Sequence, residues 1–350
     1  MRFLFVSRRG ASLSLAKRIV QEGHVVHFFV NNLLYKVLGQ GIIDKAKIGE
    51  FHNCDVAIFD ESGMGEYASV MAKGKPVIGG SKFADLFNND IEYKQKVLAK
   101  AGLQLGSYSD GEKIYVTGWY NGFNFVHPFH SYFKKTKFME NNLGIDTESM
   151  GCLLWYHKAN KLTNHTIHKI RNELKKTGYI GAVTFECNVT EGAMAITNVH
   201  LGFTYDNTYA CLEGVRQDYG ELLYRLAFDS IKRMKTSSDW LTATRVTIPP
   251  YPLPKSDAVP KYTRVEGLNK ENLKHIWLRD VMYEDGMYSS ANCDGYLMTV
   301  TSRGLTPRKA FRRTHRTINN LKIVNVQYRL DIGDGLDERY KKIKDWGWFN

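Results

Sequence analysis

The first apolar run of the chain, RFLFV at 2–6, has no polar interruption, as a strand covered on both faces requires. Behind it, SRRGASLSLAKRIVQEGHVVHFFV (7–30) passes from polar loop to helical period and back to an apolar run, a βαβ opening. Gly10 lies in the turn before the helix, where backbone N–H groups and the helix dipole favour phosphate. One glycine falls short of a dinucleotide fingerprint. CDVAIFDE (54–61) and KPVIGG (75–80) supply two more buried strands, and NDIEYKQKVLAKAGL (89–103) an amphipathic helix. The pattern predicts a parallel α/β domain over the first hundred residues, with ligands at the carboxyl ends of its strands.

Further on the pattern shortens to hairpins. KIYVTGWYNGFNFV (113–126) turns at Asn121–Gly122, KKTKFMENNLGIDTESMG (134–151) reads as a polar loop, and a helix is expected over 163–177. IGAVTFECNVTEGAMAITNVHLGF (180–203) reads as two strands joined at Glu191–Gly192, followed by a helix near 215–235. Within the second strand, alternation puts Asn198, His200 and Gly202 on one side and Thr197, Val199 and Leu201 on the other. Five of the eight prolines fall in PPYPLPKSDAVP (249–260), which marks an extended connector. A short strand GYLMTVTS (295–302), a basic helix TPRKAFRRTHRTINNL (306–321) and a charged tail ending WGWFN complete the chain.

Composition adds limits. With 350 residues, 43% hydrophobic and 24% charged, the sequence is that of an ordinary globular protein of two or three domains. No run approaches the roughly 18 apolar residues of a membrane span. The N-terminus lacks a signal-peptide cleavage pattern, so a cytoplasmic protein with no membrane partner is expected. Five scattered cysteines without a C-x-x-C pair argue against a disulfide framework or a zinc knuckle. A net charge of +12 favours anionic partners, whether nucleotide, phosphosugar or nucleic acid; a basic surface that only confers solubility is the alternative.

Several segments together resemble phosphoribosylamine–glycine ligase, the glycinamide ribonucleotide synthetase of purine metabolism and a member of the ATP-grasp superfamily. DGYLMTVTSRGLTPRKAF (294–311) with YRLDIG (328–333) is similar to that family's C-terminal motifs, and GIDTESMG (144–151) to its G-P-N-T-G-G-M-G. KPVIGGSKFADLFNNDIEYKQKVLAKAGL (75–103) and EGHVV (22–26) also match, while SRRGAS stands in place of the family's glycine-rich first loop. The resemblance implies an N-terminal Rossmann-like (pre-ATP-grasp) domain at 1–105 and a truncated ATP-grasp core at 106–240. A Pro-rich connector at 241–260 and a small C-terminal mixed α/β domain at 261–350 would follow.

The family joins an activated carboxylate to an amine with ATP and Mg²⁺ or Mn²⁺, the metal held on a hairpin of the larger lobe. In the resemblance that hairpin is 183–200, its metal set Glu186, Asn198 and His200, and Gly202 stands where an Arg is usual. Asn and His are neutral donors where Mg²⁺ prefers charged oxygens, so a ligand-lining or structural pair stays open beside the metal reading. The resemblance makes Ser7, Arg8, Arg9, Gly10, Gly79, Gly80, Ser81, Lys82, Asp146 and Thr147 the walls of a phosphosugar-type substrate site. Arg8 and Arg9 suit bidentate phosphate contacts at a helix N-terminus, with solvated turn residues as the alternative. The family's smaller lobe, with its phosphate-binding lysine and Gly-rich flap, should fall where this chain has only YSDGE (108–112). One βαβ unit alone needs roughly 30 residues.

Two further groupings stand outside the resemblance. His165 and His168 would share a helix face, as surface histidines or as half of a metal site. PRKAFRRTHR (307–316) gathers five Arg/Lys and His315 on one helix, to track a phosphate backbone or to be solvated. No G-x-S-x-G nucleophile or Cys/His dyad is readable. Two functions are left. One is a ligase-like pseudoenzyme that binds a nucleotide, phosphosugar or nucleic acid, with a protein partner a further option. The other is an active carboxylate–amine ligase or transferase that forms an amide on a nucleotide-like acceptor with ATP and Mg or Mn.

Overall fold

A computed structural model describes all residues except 33–34, 47–52, 73, 108–109 and 254–261. Four parallel strands form the first sheet: β1 (Arg2–Ser7), β2 (Val25–Val30), β3 (Val56–Phe59) and β4 (Val77–Gly79), in the order β2-β1-β3-β4. Central β1 and β3 are buried almost throughout, which accounts for their unbroken apolar runs, while edge strand β2 keeps a mixed sequence. Helix α1 (Leu13–Gln21) crosses from β1 to β2 and α2 (Gly65–Met71) from β3 to β4. Helices α3 (Lys82–Asn89) and α4 (Ile91–Lys100) follow, each with a side-chain cap. Ser81 Oγ accepts from Ala84 N–H, and Asp90 Oδ1 accepts from Tyr93 N–H, so Asp90 both ends one helix and starts the next.

Residues 101–111 lead directly into the main sheet, which is antiparallel. Its first five strands are β5 (Glu112–Tyr120), β6 (Phe125–Met139), β7 (Leu143–His157), β8 (Gly181–Val189) and β9 (Met194–Leu201). With β10 (Trp240–Thr247) and, from the C-terminal third, β12 (Ile276–Leu278) and β15 (Tyr296–Gly304), the order is β12-β15-β10-β7-β6-β5-β8-β9.

Segment 134–151, read as a polar loop, is instead the far half of the β6–β7 hairpin. It projects past its neighbours, with Lys137 paired across to Asp146 at 2.7 Å and most side chains in solvent, so no apolar face marks it as strand. The helix expected over 163–177 is two: α5 (Lys161–His165) and α6 (Ile167–Lys175). Thr166 separates them at φ −126, its hydroxyl bonded back to Leu162 C=O. His165 and His168 therefore lie on different helices, against Trp348 and Phe129 respectively. Of the helix expected near 215–235 only α8 (Tyr219–Ala227) is helical, and a separate helix, α7 (Asn207–Glu213), precedes that range and ends at Gly214. The connector expected at 241–260 begins as strand β10 inside the sheet, and its 254–260 portion lies outside the described residues.

A third, small antiparallel sheet has the order β13-β14-β11-β16, built from β11 (Arg264–Glu266), β13 (Val281–Glu284), β14 (Met287–Ser290) and β16 (Lys322–Ile323). The same region returns β12 (Ile276–Leu278) and β15 (Tyr296–Gly304) to the main sheet. Side chains alternate along β15: Thr299 and Thr301 face α7, and Ser302 faces α9 (Pro307–Asn319), which covers the opposite side. Helix α10 (Leu336–Asp345) precedes a tail whose Trp348 indole donates to Thr190 C=O. No described helix is long and apolar enough to cross a membrane.

Candidate ligand cavity

In the parallel sheet, β1 leads outward to β2 on one side while β3 lies on the other, so the crevice beyond the carboxyl ends of β1 and β3 is the topological switch point. A cavity of about 460 Å³ opens there. Arg8, Arg9 and Ala11 line it from the loop after β1, and Asp60, Glu61 and Ser62 from the loop after β3. The main sheet adds Glu148 of β7, His200 of β9, and Phe203 and Tyr205 just beyond it; Arg279 and Tyr296 come from the C-terminal third. Each part of the chain thus contributes a wall.

The first loop is held by its own backbone and by α7. Ser7 Oγ accepts from Gly10 N–H at 2.8 Å, and Tyr209 hydroxyl donates to Ala11 C=O. At Gly10, φ is +72 and a Cβ would stand 2.2 Å from a Leu38 methyl, so the glycine lets this loop pack rather than leaving space for ligand. Arg9 Nε donates to Glu61 Oε1 at 2.8 Å, Arg8 N–H to Glu61 Oε2 at 3.2 Å, and Arg8 Nη2 to Gly63 C=O at 2.9 Å. Arg279 is buried and pairs with Asp294 at 3.1 Å. Cations and carboxylates thus alternate around the cavity.

Asp60 is fully enclosed; one oxygen accepts from Ser12 N–H at 2.8 Å and the other has no hydrogen-bond partner among the described residues. Burial, with Glu61 beside it, pushes its carboxyl up to about 7 from 3.8. The native state therefore holds a proton that the unfolded chain gives up between about pH 4 and pH 7. The stability this group contributes is full below that window and is lost as pH rises through it. Asp60→Asn is expected to flatten the pH dependence of the thermal midpoint across this window and to be the more stable protein above pH 7. Parallel curves for the two proteins would count against a raised Asp60. Burial also lowers His200 to about 4, leaving a neutral imidazole on the wall at pH 7.

Below Glu148 the sheet continues as a polar floor. Tyr115 and Tyr132 stack at 4.8 Å, Lys134 Nζ lies 4.6 Å from the Tyr115 ring centre, and Glu186 stands opposite Tyr115 on β8. Lys134 is lowered by burial and faces the carboxylates of Glu186 and Glu148.

The expected residues divide. Arg8 and Arg9 line the cavity, and Ser7 and Gly10 shape its loop. Gly79 and Gly80 lie instead in a closed crevice against Phe59, Gly202 and Phe203. Ser81 is spent on capping α3, and Lys82 pairs with Glu66 at 2.8 Å on the surface. Asp146 and Thr147 bond within the hairpin arm, to Lys137 and Thr136; Glu148, next in sequence, is the residue that reaches the cavity.

Glu186, Asn198 and His200 share one stretch of the β8–β9 pair, with Glu186 opposite Asn198. Glu186 is bound by Lys113 at 2.6 Å, and Asn198 Oδ1 accepts from Lys94 Nζ at 2.9 Å. One Glu186 oxygen and the Asn198 oxygen thus each hold an ammonium group, and two cations beside two neutral donors and a single carboxylate do not fit Mg²⁺ or Mn²⁺. Among the described residues no group of three or more His, Cys, Asp or Glu is placed to hold a metal.

Sequence reasoning missed Asp60, Glu61, Glu148, Arg279 and Tyr296. The signal for the first two was present, since they directly follow an apolar strand of a parallel sheet. Arg279 and Tyr296 arrive through tertiary folding from about 270 and 290 residues away from the first loop and carry no local signature.

No family model and no curated protein matches the sequence. Solved structures do match. Phosphoribosylamine–glycine ligase from Thermotoga maritima superposes with a TM-score of 0.73 at 14% identity, over 95% of this chain and 100% of that one. Biotin carboxylase from Campylobacter jejuni, in a complex with beta-gamma-ATP, gives 0.64 at 13% identity over 98% and 96%. Urea carboxylase from Kluyveromyces lactis gives 0.65 at 12% identity, over 98% of this chain and 32% of that one. The chain therefore shares its fold with phosphoribosylamine–glycine ligase and the biotin carboxylases.

Proposed function

We propose that the protein is a phosphoribosylamine–glycine ligase-like binding protein whose cavity takes a small anionic ligand, a nucleotide or a phosphosugar, without conventional ATP-dependent ligation. One observation carries this reading: the cavity lies at the switch point of the parallel sheet with Arg8, Arg9 and Arg279 on its walls. Guanidinium groups offer forked donors that match phosphate oxygens. Two further features support it. The passage from α4 to β5 is residues 101–111, too short for the roughly 30 residues of a βαβ flap that would cover a triphosphate. One oxygen of Glu186 and the side-chain oxygen of Asn198 are each engaged by a lysine. A cytoplasmic setting goes with such ligands.

A second reading is an active carboxylate–amine ligase or transferase that makes an amide on a nucleotide-like acceptor. It is favoured by Glu61 and Glu148 standing in the same cavity as the arginines, so that an amine and an anion can be seated side by side.

Titration calorimetry separates the two. Ribose 5-phosphate or a nucleoside monophosphate is expected to bind without metal, and Glu186→Ala is expected to leave that binding unchanged. ATP bound only with Mg²⁺ or Mn²⁺, and lost in Glu186→Ala, would establish the ligase reading instead.

A further inference from the structure

The back of the main sheet carries a second charged feature, unconnected with the cavity. On α9 the residues Arg308, Lys309, Arg312, Arg313 and Arg316 are exposed, while Ala310, Phe311, Thr314 and Ile318 are buried against the sheet. At 1.5 Å rise per residue, Arg308, Arg312 and Arg316 form a row about 12 Å long, with Lys309 and Arg313 beside it. Among the described residues none of the five makes an ion pair, and the helix has no acid in its first turn. Arg313 also donates to Arg303 C=O, which fixes it against the end of β15.

This arrangement works against the helix that bears it. Arg308 and Lys309 occupy the first turn, where the helix dipole disfavours positive charge. The pairs 308/312, 309/313 and 312/316 are like charges at i, i+4, each destabilising by about 0.2–0.5 kcal/mol. Folding alone would be better served by acids in the first turn and by opposite charges at i, i+4 along the face. A local rule broken without compensation inside the fold points to a partner outside it.

We infer that the exposed face of α9 is a docking surface for nucleic acid, gripping the phosphate backbone without reading sequence. A continuous row of cations, none of them ion-paired among the described residues although Asp334 and Glu140 lie near His315 on the same helix, matches a continuous polyanion, and displaced counterions supply the drive. Since β15 presents Thr299 and Thr301 to α7 and Ser302 to α9, this surface lies on the opposite side of the sheet from the α7 side, where Tyr296 faces the cavity. It is therefore independent of the small-ligand reading.

Fluorescence anisotropy with a duplex DNA of about 25 base pairs tests this across a salt series, with log K expected to fall by about 0.9 per log unit of salt for each phosphate neutralised. The triple variant Arg308→Gln, Arg312→Gln, Arg316→Gln is expected to weaken binding at least about 10-fold and to reduce the salt slope by about 2–3. A control with the same charge change elsewhere, Lys96→Gln, Lys100→Gln, Lys169→Gln, should weaken it less than about 3-fold, and Arg9→Gln should leave it unaltered. Gln is close to Arg in helix propensity, so the α9 triple should unfold at the same temperature or higher as repulsion is relieved. Equal losses in both triples would overturn the proposal by reducing it to net charge. So would absence of duplex binding, capture only by phosphatidylserine vesicles, or a lower unfolding temperature of the α9 triple.

Discussion

Replacing Asp206 by Ala is expected to destabilise the fold by about 3–5 kcal/mol, the cost of leaving one member of a buried ion pair without its partner. Asp206 is fully buried just before α7, and its two oxygens are shared by three strand residues. Oδ2 accepts from Arg245 Nε at 3.1 Å and lies 2.9 Å from Nη2; Oδ1 accepts from Tyr296 hydroxyl and Thr299 Oγ1, both at 2.8 Å. The Arg245 guanidinium in turn lies 4.1 Å from the Tyr296 ring centre, with that of Arg279 at 4.4 Å. This cluster ties α7 and β10 to β15, and so joins the middle of the chain to its C-terminal third. The backbone at Asp206 adds to the cost, since φ is +73, a conformation that Asp and Asn tolerate better than Ala.

Asp206→Asn combined with Arg245→Met should recover most of the loss, because removing both charges leaves neither stranded. Urea unfolding of the two variants decides the matter. A single substitution costing under about 1 kcal/mol would mean that solvent reaches the cluster. In the Asn variant alone, Glu148, 3.9 Å from Arg245 Nη2, is the remaining carboxylate for that cation, so the damage should extend to the cavity wall.

What the sequence made legible follows from where each pattern came from. Strands β1 and β3 are covered on both faces, so they wrote themselves as unbroken apolar runs, and the cavity lies at their carboxyl ends as a parallel sheet requires. The hairpin arm at 134–151 was illegible for the opposite reason: with solvent on its faces, alternation has no apolar side to show. Resemblance pointed to Asp146 and Thr147, yet Thr147 faces the other side of the strand and Asp146 lies farther out on the arm, paired with Lys137, so it is Glu148 that lines the cavity. Gly79 to Lys82 resembled a ligand turn because a capped helix start uses the same residues as a phosphate loop. Asn198 and His200 did fall where alternation put them, on the sheet beside Glu186, but the lysines that engage Asn198 and Glu186 come from α4 and β5 and could only be seen once folded.

Arg9 and Glu61 give the most direct check on the cavity, because they should act in opposite directions. In the structure the pair is closed at 2.8 Å, with Glu61 largely buried and Arg9 half exposed toward the opening. An entering phosphate must compete with Glu61 for the guanidinium. Arg9→Gln removes a charge-assisted bond of about 1.5–3 kcal/mol and is expected to weaken ribose 5-phosphate binding about 10- to 150-fold. It also unmasks the Glu61 carboxylate against the anion. Glu61→Gln takes away the competitor and frees Arg9, so the same ligand should bind more tightly, by a margin that shrinks as salt is raised. Calorimetry on the two variants at equal pH and ionic strength supplies the comparison. Weakening in both would mark Glu61 as a contact of the ligand rather than a rival for its cation, and would move the assignment toward a substrate that carries an amine beside its phosphate.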